Sequence, residues 1–319
     1  MKSLIGIIAG DPESINSEIL AKAWKKKRNF KNVNIFVIGN YNLIKSQFKV
    51  MKIKIDLKKF KSFQNNNFKK KLMVYDIPLI FKNPFKINKK SKSKYVIRSF
   101  NTALKFIKSK KIKGLINCPI NKKEIFMNSN IGVTEFLAKK TASYGKEAMV
   151  IYNKKLSVSP ITTHIQLKKV SKNITKNKII KRIVSINKFY IQKLKFKPQF
   201  GVLGLNPHND EFRKNSEENK IIKPAISKLK KMNIRVKGPI SADTAFVNFN
   251  KKGINVLIGM YHDQVLGPFK ALYKFNAINI TTGLPFLRIS PDHGTGKDII
   301  KKNQADPTSL MDSIKFFSK

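Results

Sequence analysis

A chain of 319 residues with 41% hydrophobic side chains is long enough for two α/β domains and too apolar for wholesale disorder. Sixty-six basic residues against 18 acidic ones give a net charge of +48, which draws in anionic partners. Nearly all of those cations are Lys spread along the whole chain, with arginine confined to Arg28, Arg98, Arg182, Arg213, Arg235 and Arg288; base readout favours arginine's planar fork, so no specific nucleic-acid partner is expected, only salt-sensitive attraction to RNA.

The first apolar run, Ser3–Ala9, ends in the turn Gly10-Asp11-Pro12. It is shorter than a signal-peptide core of about 7–15 residues and reads as a buried strand. Ser14 to Lys27 follows with Ile15, Ile19, Leu20 and Trp24 at helical spacing. Val33–Ile38 is a second strand, and a helix lies near Tyr41–Phe48. The Lys- and Asn-rich stretch Asp56–Lys71 has no clean period and reads as a solvated, variable insertion or edge region. Leu72–Tyr75 is a short strand, Asn88–Lys94 a basic loop and Tyr95–Lys108 an amphipathic helix. Gly114–Asn117 is a buried strand running into Cys118-Pro119-Ile120-Asn121-Lys122. As the only cysteine, Cys118 excludes an internal disulfide, agrees with a reducing cytoplasm and reads as a buried, inert thiol. No apolar run approaches the ~20 residues of a membrane-spanning helix.

Further along, Gly132-Val133-Thr134-Glu135 opens a helix through Lys140, and Thr134 stands where a helix N-terminus could receive a phosphate oxygen. Strands at Ala148–Tyr152 and Leu156–Thr162 lead to His164. A long helix is expected over about Ile174–Lys195, a strand over Phe200–Leu205, and another helix over about Ser216–Met232. The segment from Gly238 to Thr244 reads as a turn entering a helix. Asn255–Gly259 is a strand delivering Tyr261-His262, and Ala277–Thr281 another. Strand–helix alternation of this kind predicts an α/β fold with a mostly parallel sheet.

Three of the four histidines share one setting. His164, His208 and His262 each follow an apolar strand by a few residues, separated by 44 and 54 positions. Three imidazoles at strand ends suit a catalytic divalent site, and the spacing is not that of a structural zinc finger. A hydrogen-bonded structural role is the alternative for each histidine taken singly. Lys270, Asn279 and Arg288 follow, and together with Thr134 they make an anion cradle. Arg288 is the more informative cation, because this chain uses Arg so seldom. His293-Gly294-Thr295-Gly296-Lys297-Asp298 is a Gly-flanked turn without the spacing of a Rossmann fingerprint.

Taken together, Gly10-Asp11-Pro12, Pro119-Ile120-Asn121-Lys122, Gly132-x-Thr134-Glu135, Thr163-His164, Gly204-Leu205-Asn206-Pro207-His208, Ala242-Asp243-Thr244, Tyr261-His262-Asp263-Gln264, Gly283-Leu284-Pro285-Phe286-x-Arg288 and Asp292-His293-Gly294-Thr295 resemble the 4-hydroxythreonine-4-phosphate dehydrogenases of vitamin B6 biosynthesis over nearly the whole chain. The resemblance implies two α/β/α domains with a cleft between them, in a fold similar to isocitrate and isopropylmalate dehydrogenases. The first would comprise residues 1–130 plus 285–319 with a cofactor loop, the second residues 131–284 with the metal ligands and dimer contacts. It implies a cytoplasmic homodimer with a shared active site and no membrane partner. His164, His208 and His262 would hold one divalent metal (Zn, Co or Mg), with ligands drawn from both subunits. Thr134, Lys270, Asn279 and Arg288 would bind the phosphorylated substrate. Asp243 and Lys270 would be catalytic, Asp243 by orienting the substrate or moving a proton. His293, Gly294, Thr295 and Asp298 would bind NAD or NADP. The implied reaction oxidises a secondary hydroxyl by hydride transfer to the nicotinamide, with loss of CO₂, giving 3-amino-2-oxopropyl phosphate.

The chain departs from that pattern in places. Val133 stands where the family usually has a His. Glu13-Ser14-Ile15-Asn16-Ser17-Glu18 replaces a Gly- and Pro-richer first loop, and Ile299-Ile300-Lys301-Lys302-Asn303 replaces a small, Gly-rich run. The alternatives are a dehydrogenase of a related phosphorylated four-carbon sugar acid, or a basic nucleic-acid-binding protein on a catalytically decayed scaffold.

Overall fold

The computed structural model describes residues 3–30, 32–64, 66–126 and 132–318. Its strands, in chain order, are β1 (Ser3–Ile8), β2 (Val33–Gly39), β3 (Leu57–Phe60), β4 (Leu72–Asp76), β5 (Gly114–Asn117), β6 (Ala148–Tyr152), β7 (Ser157–Thr162), β8 (Phe200–Leu203), β9 (Val236–Ile240), β10 (Val256–Tyr261), β11 (Ile278–Thr282) and β12 (Leu287–Pro291). The chain forms two compact units, Met1–Val133 with Phe286–Lys319, and Thr134–Pro285.

In the first unit the strands lie in the order β3-β4-β2-β1-β5-β12, every pair parallel. The middle strands are buried along nearly their whole length. That explains their continuous Ile/Val runs, since a parallel strand covered on both faces has no polar side to alternate. The helix Lys89–Lys108 packs on β1 and β2, and Thr308–Phe316 packs on β12.

The second unit has the order β11-β6-β7-β10-β8-β9. The pairs β7–β10, β10–β8 and β8–β9 are parallel, whereas β6 runs antiparallel to both neighbours. The turn joining β6 to β7 is closed by Asn153, whose side-chain oxygen accepts from Lys155 N at 2.9 Å, the local bonding for which Asn is favoured in turns. A core of Leu203, Phe249, Leu257, Val265 and Phe269 lies between the strands and the helices Ala242–Asn248 and His262–Tyr273.

Four local readings of the sequence need correction. The stretch Asn88–Lys94 is not a loop. The helix begins at Lys89 behind an Asn88 cap, whose side-chain oxygen accepts from Lys90 N at 3.0 Å. Its lysines are good helix formers, and the first turn buries Lys92 rather than solvating it. The segment Gly238–Thr244 does not begin as a turn, because Val236–Ile240 is an outer strand beside β8. A proline can sit there, since an edge position need not supply every ladder donor. Within Asp56–Lys71 lies an outer strand, β3, that the missing period did not predict, and the region is not merely solvated. Phe60, Phe63 and Phe68 close over Phe36, with Phe36–Phe60 centroids at 5.2 Å and Phe63–Phe106 at 4.9 Å. The long helices are also less regular than periodicity suggests. Lys176–Phe189 widens into a π-type turn over Tyr190–Leu194, and Lys223–Lys231 is preceded by another over Glu218–Ile222.

Candidate functional site

β7, β10 and β8 are neighbours in the second unit, so the residues that follow them emerge side by side. His164 lies two residues beyond β7, His262 is the first residue of the helix after β10, and His208 lies five beyond β8. The His164 and His262 rings are 5.7 Å apart, centroid to centroid. His262 Nδ1 is 2.8 Å from Asp263 Oδ1. A carboxylate only accepts, so Nδ1 is the donor, and in the neutral ring this tautomer leaves the lone pair on Nε2. Among the described residues no three His, Cys, Asp or Glu side chains are gathered closely enough to hold a metal ion. The single chain thus brings two imidazoles together and leaves His208 as a third on an adjacent strand end. The donor chemistry, imidazoles at strand ends with one ring oriented by a carboxylate, fits a divalent transition metal.

His208 opens an unusual piece of backbone. Five consecutive residues, His208 to Phe212, have φ between 45° and 60°, a left-handed turn built without a single glycine. Each such residue costs roughly 1–2 kcal/mol relative to a right-handed turn, so the surroundings must hold it. The fully buried Glu218 accepts from Leu205 N at 2.7 Å and Asn206 N at 2.9 Å, and from the Asn206 amide at 3.0 Å. Asn209 is buried and donates to Ser241 Oγ at 3.2 Å. Ser241 precedes the helix Ala242–Asn248, which places exposed Asp243 at the border of this turn.

The proposed anion ligands fall into two sets. Thr134 and Thr281 approach at 3.3 Å between hydroxyl oxygens, and Asn279 lies two residues before Thr281 on β11, on the same face. The Asn279 side-chain oxygen is buried and has no hydrogen-bonding partner among the described residues. A buried amide left unsatisfied costs about 1–3 kcal/mol, which suits a group reserved for a ligand. Lys270 stands two turns along the helix from His262, its Nζ 4.8 Å from the Phe275 ring centre. Arg288 belongs to the first unit. It is buried on β12, and its Nε donates to Asn117 Oδ1 at 2.7 Å, tying β12 to β5. Val133, where a histidine would have added a donor, is buried and apolar.

In the first unit the loops after β1, β5 and β12 knit together. Asp11 N donates to Pro119 O at 3.0 Å, Asn121 N to Asp11 Oδ2 at 3.1 Å, and Ile15 N to Thr295 O at 3.0 Å. The loop carrying His293, Gly294, Thr295 and Asp298 is thereby seated on the first loop. Gly294 has open space where a side chain would be, and Gly296 packs against Ile15 with φ 58°. This open, glycine-flanked backbone fits a dinucleotide. Beneath it lies an ionic cluster that sequence reading missed. Lys92, 1% exposed, pairs with Glu124, with Glu13 at 3.1 Å and, at 3.9 Å, with Asp11. Lys297 reaches Glu124 at 3.3 Å and Glu13 at 3.8 Å. Burial raises the Asp11 carboxyl above its ordinary value, while the hydrogen bond from Lys92 lowers that of Glu124. Burial works to depress the Lys92 ammonium, but Glu124, Asp11 and Glu13 outweigh it and hold it above the ordinary lysine value. Cys118, fully buried, has its thiol pushed up to about 12 by burial, in keeping with an inert core residue. Among the described residues no helix is long and apolar enough to cross a membrane.

Known proteins place this geometry in a family. Residues 31–317 match the family model described as "Pyridoxal phosphate biosynthetic protein PdxA". The chain is 40% identical to a 4-hydroxythreonine-4-phosphate dehydrogenase of Sulfurihydrogenibium sp., over 97% of this chain and 96% of that one. It is 38% identical to the enzyme of the same name from Aquifex aeolicus, over 99% and 97%. A crystal structure of 4-hydroxythreonine-4-phosphate dehydrogenase from Klebsiella pneumoniae superposes with TM-score 0.86 at 28% identity, covering 99% of this chain and 97% of that one. The chain, with its histidine-bearing strand ends and its knitted loops after β1, β5 and β12, belongs to the PdxA family of pyridoxal phosphate biosynthetic proteins.

Proposed function

We propose that this protein is a 4-hydroxythreonine-4-phosphate dehydrogenase, which oxidises and decarboxylates 4-phosphooxy-threonine to 3-amino-2-oxopropyl phosphate with NAD or NADP, and that it acts as a metal-dependent homodimer. The observation that carries the reading is the emergence of His164, His262 and His208 from three adjacent strands in a chain that spans nearly all of the dehydrogenases it resembles. Those imidazoles would hold a divalent cation, which would supply Lewis acidity toward the substrate hydroxyl, and a nicotinamide held by the first unit's loop would be the hydride acceptor. A second subunit completes the ligand set that one chain leaves open. Asp263 holds His262 in the tautomer that offers Nε2. Thr134, Asn279, Lys270 and Arg288 bind the phosphate and carboxylate and orient the reacting carbon. Asp243 orients the substrate or receives the hydroxyl proton, and the Lys270 ammonium supplies positive charge beside the reacting group. The loop His293–Asp298 seats the adenosine end of the cofactor on its exposed backbone.

The test is reduced-cofactor formation, followed by absorbance, with 4-hydroxythreonine 4-phosphate, with and without added divalent metal and beside His208→Ala. Metal-dependent turnover that disappears in the variant is expected. A folded, metal-loaded dimer that turns over a phosphorylated four-carbon sugar acid but not this substrate would refute the assignment.

A further inference from the structure

The three histidine-bearing strand ends are joined by a transverse set of hydrogen bonds that passes through a single residue. Met260, fully buried on β10, has both of its backbone polar groups engaged from the sides. Its carbonyl accepts from Thr162 Oγ1 of β7 at 2.7 Å. Its N–H donates to Gln264 Oε1 at 2.7 Å. The other end of the same Gln264 amide donates to Gly204 O, just past β8, at 2.8 Å. Thr162 and Gln264 are themselves at most 9% exposed. Thr162 and Met260 each stand two residues before a histidine, His164 and His262, and Gly204 stands four before His208.

Glycines leave the room this arrangement needs. A Cβ on Gly259 would come within 2.5 Å of Val265 and 3.1 Å of Gln264 Oε1, and one on Gly204 within 2.2 Å of Asn209 Oδ1. A side chain is thus excluded at Gly259, where it would meet Gln264, and at Gly204, where it would meet Asn209 and Glu218 beside the carbonyl that Gln264 bonds. The ladder pairs β10 with β7 as far as Tyr261 and Thr162 but with β8 only as far as Ile258 and Val202, so the Thr162 bond reinforces the first seam at its end and the Gln264 amide spans the second beyond its last pair. A side-chain amide bonded in both directions fixes that spacing, since its oxygen and nitrogen are held in one rigid plane.

We infer that Thr162 and Gln264 are positioning residues for the three histidines: acting through Met260 and Gly204, they set the separation of the imidazole-bearing strand ends before any metal arrives. This rests on the metal reading given above. It assigns the two residues no contact with substrate, cofactor or metal.

The experiment is a titration of the dimeric protein with Co²⁺ alone, followed by its visible absorption. Wild type, Thr162→Val, Gln264→Met, His208→Ala and Ser159→Ala are compared, with urea unfolding of each. Ser159 is the control, because it too donates from β7 to a backbone carbonyl, Met149 O at 2.6 Å, but toward β6 rather than toward a histidine. Removing a partner bonded directly to a metal ligand typically weakens binding about 10–100-fold, which bounds from above the loss for residues acting through the backbone. Thr162→Val and Gln264→Met are expected to lose Co²⁺ affinity within that bound while remaining folded, and Ser159→Ala to bind as wild type. Affinity unchanged in both Thr162→Val and Gln264→Met, with His208→Ala still defective, would overturn the positioning role and leave the metal site standing. A loss in Ser159→Ala equal to theirs would reduce the effect to general destabilisation and overturn it too. A wild-type protein that binds no Co²⁺ would overturn the metal reading and the inference together.

Discussion

Replacing Lys92 by Met tests whether the ionic cluster under the first loop is held together by one buried ammonium. Lys92 is 1% exposed and faces three carboxylates, Glu124, Glu13 and Asp11. The substitution replaces the ammonium by a slightly shorter apolar chain and, among the described residues, leaves Glu124 and Glu13 paired with Lys297, which is 46% exposed. Breaking a buried pair by removing one partner costs about 3–5 kcal/mol, a large part of the 5–15 kcal/mol that typically stabilises a domain. The loss should depend on pH. Glu124 is lowered in the fold, so its contribution is present above its ordinary value and disappears as pH falls through the lower folded value. Asp11 is raised, so holding it ionised opposes folding once pH passes the raised value, and removing Lys92 deepens that opposition. Lys92 itself stays charged throughout the acid range. The deficit of Lys92→Met is therefore full at pH 7 and shrinks only below Glu124's ordinary value of 4.5, so about pH 3 is the point of comparison. Urea denaturation of both proteins at the two pH values measures it, with the slope checking that both unfold alike. A deficit below about 1 kcal/mol at pH 7, or one of equal size at both pH values, would refute the reasoning.

Other substitutions probe the second unit and the core. Asn279→Ala should raise KM for the phosphorylated substrate at least several-fold while leaving stability unchanged or higher by up to about 1 kcal/mol, because it removes a buried acceptor that is unsatisfied in the free protein; steady-state kinetics beside thermal melts distinguish this from a packing defect. Asp210→Gly should stabilise the fold by roughly 0.5–1 kcal/mol, since glycine accepts φ 48° without strain and the exposed pair with Arg213 contributes little; a lowered melting temperature would argue against strain in this turn. Cys118 should resist alkylation at pH 8 in the native protein and react once urea unfolds it, as its raised pKa and complete burial require; mass spectrometry of the iodoacetamide-treated protein reads the outcome.

Much of the architecture could be read from short apolar runs, for a definite reason. β1, β2, β5 and β10 are buried on both faces, so burial alone determines their composition. The placement of three histidines just past such strands was equally legible. What was not legible depends on partners remote in sequence. Lys92 looks like any other lysine until Glu124 and Glu13 are brought beside it, so the first turn of its helix passed for a solvated loop. Gly238-Pro239 looks like punctuation, and only the outer position of β9 makes it strand. β12 lies among the motif residues from Gly283 to Thr295, where a short apolar run is hard to tell from loop, and the helix Thr308–Phe316 was not assigned from the sequence. Thr162 and Gln264 gave no chemical signal at all, because a hydroxyl and an amide acquire meaning only from the carbonyls and N–H groups they meet. The phenylalanines of the stretch 57–68 were hidden by the lysines around them.

The order in which the first unit receives its strands bears on how the chain is made. β1 and β5 are synthesised early, but β12, the parallel neighbour of β5, follows only after the whole of the second unit, Thr134–Pro285. During translation β5 must wait with an unpaired edge while roughly half the polypeptide is still to come. Domains generally fold as units as they leave the ribosome, and the second unit is contiguous, so it can fold while the first is still incomplete. The first unit then closes late, across a long separation in sequence, the kind of pairing that slows folding. Its exposed strand edge in that interval is the natural point for a chaperone to attend, and the arrival of Arg288 beside Asn117 marks the end of that exposure.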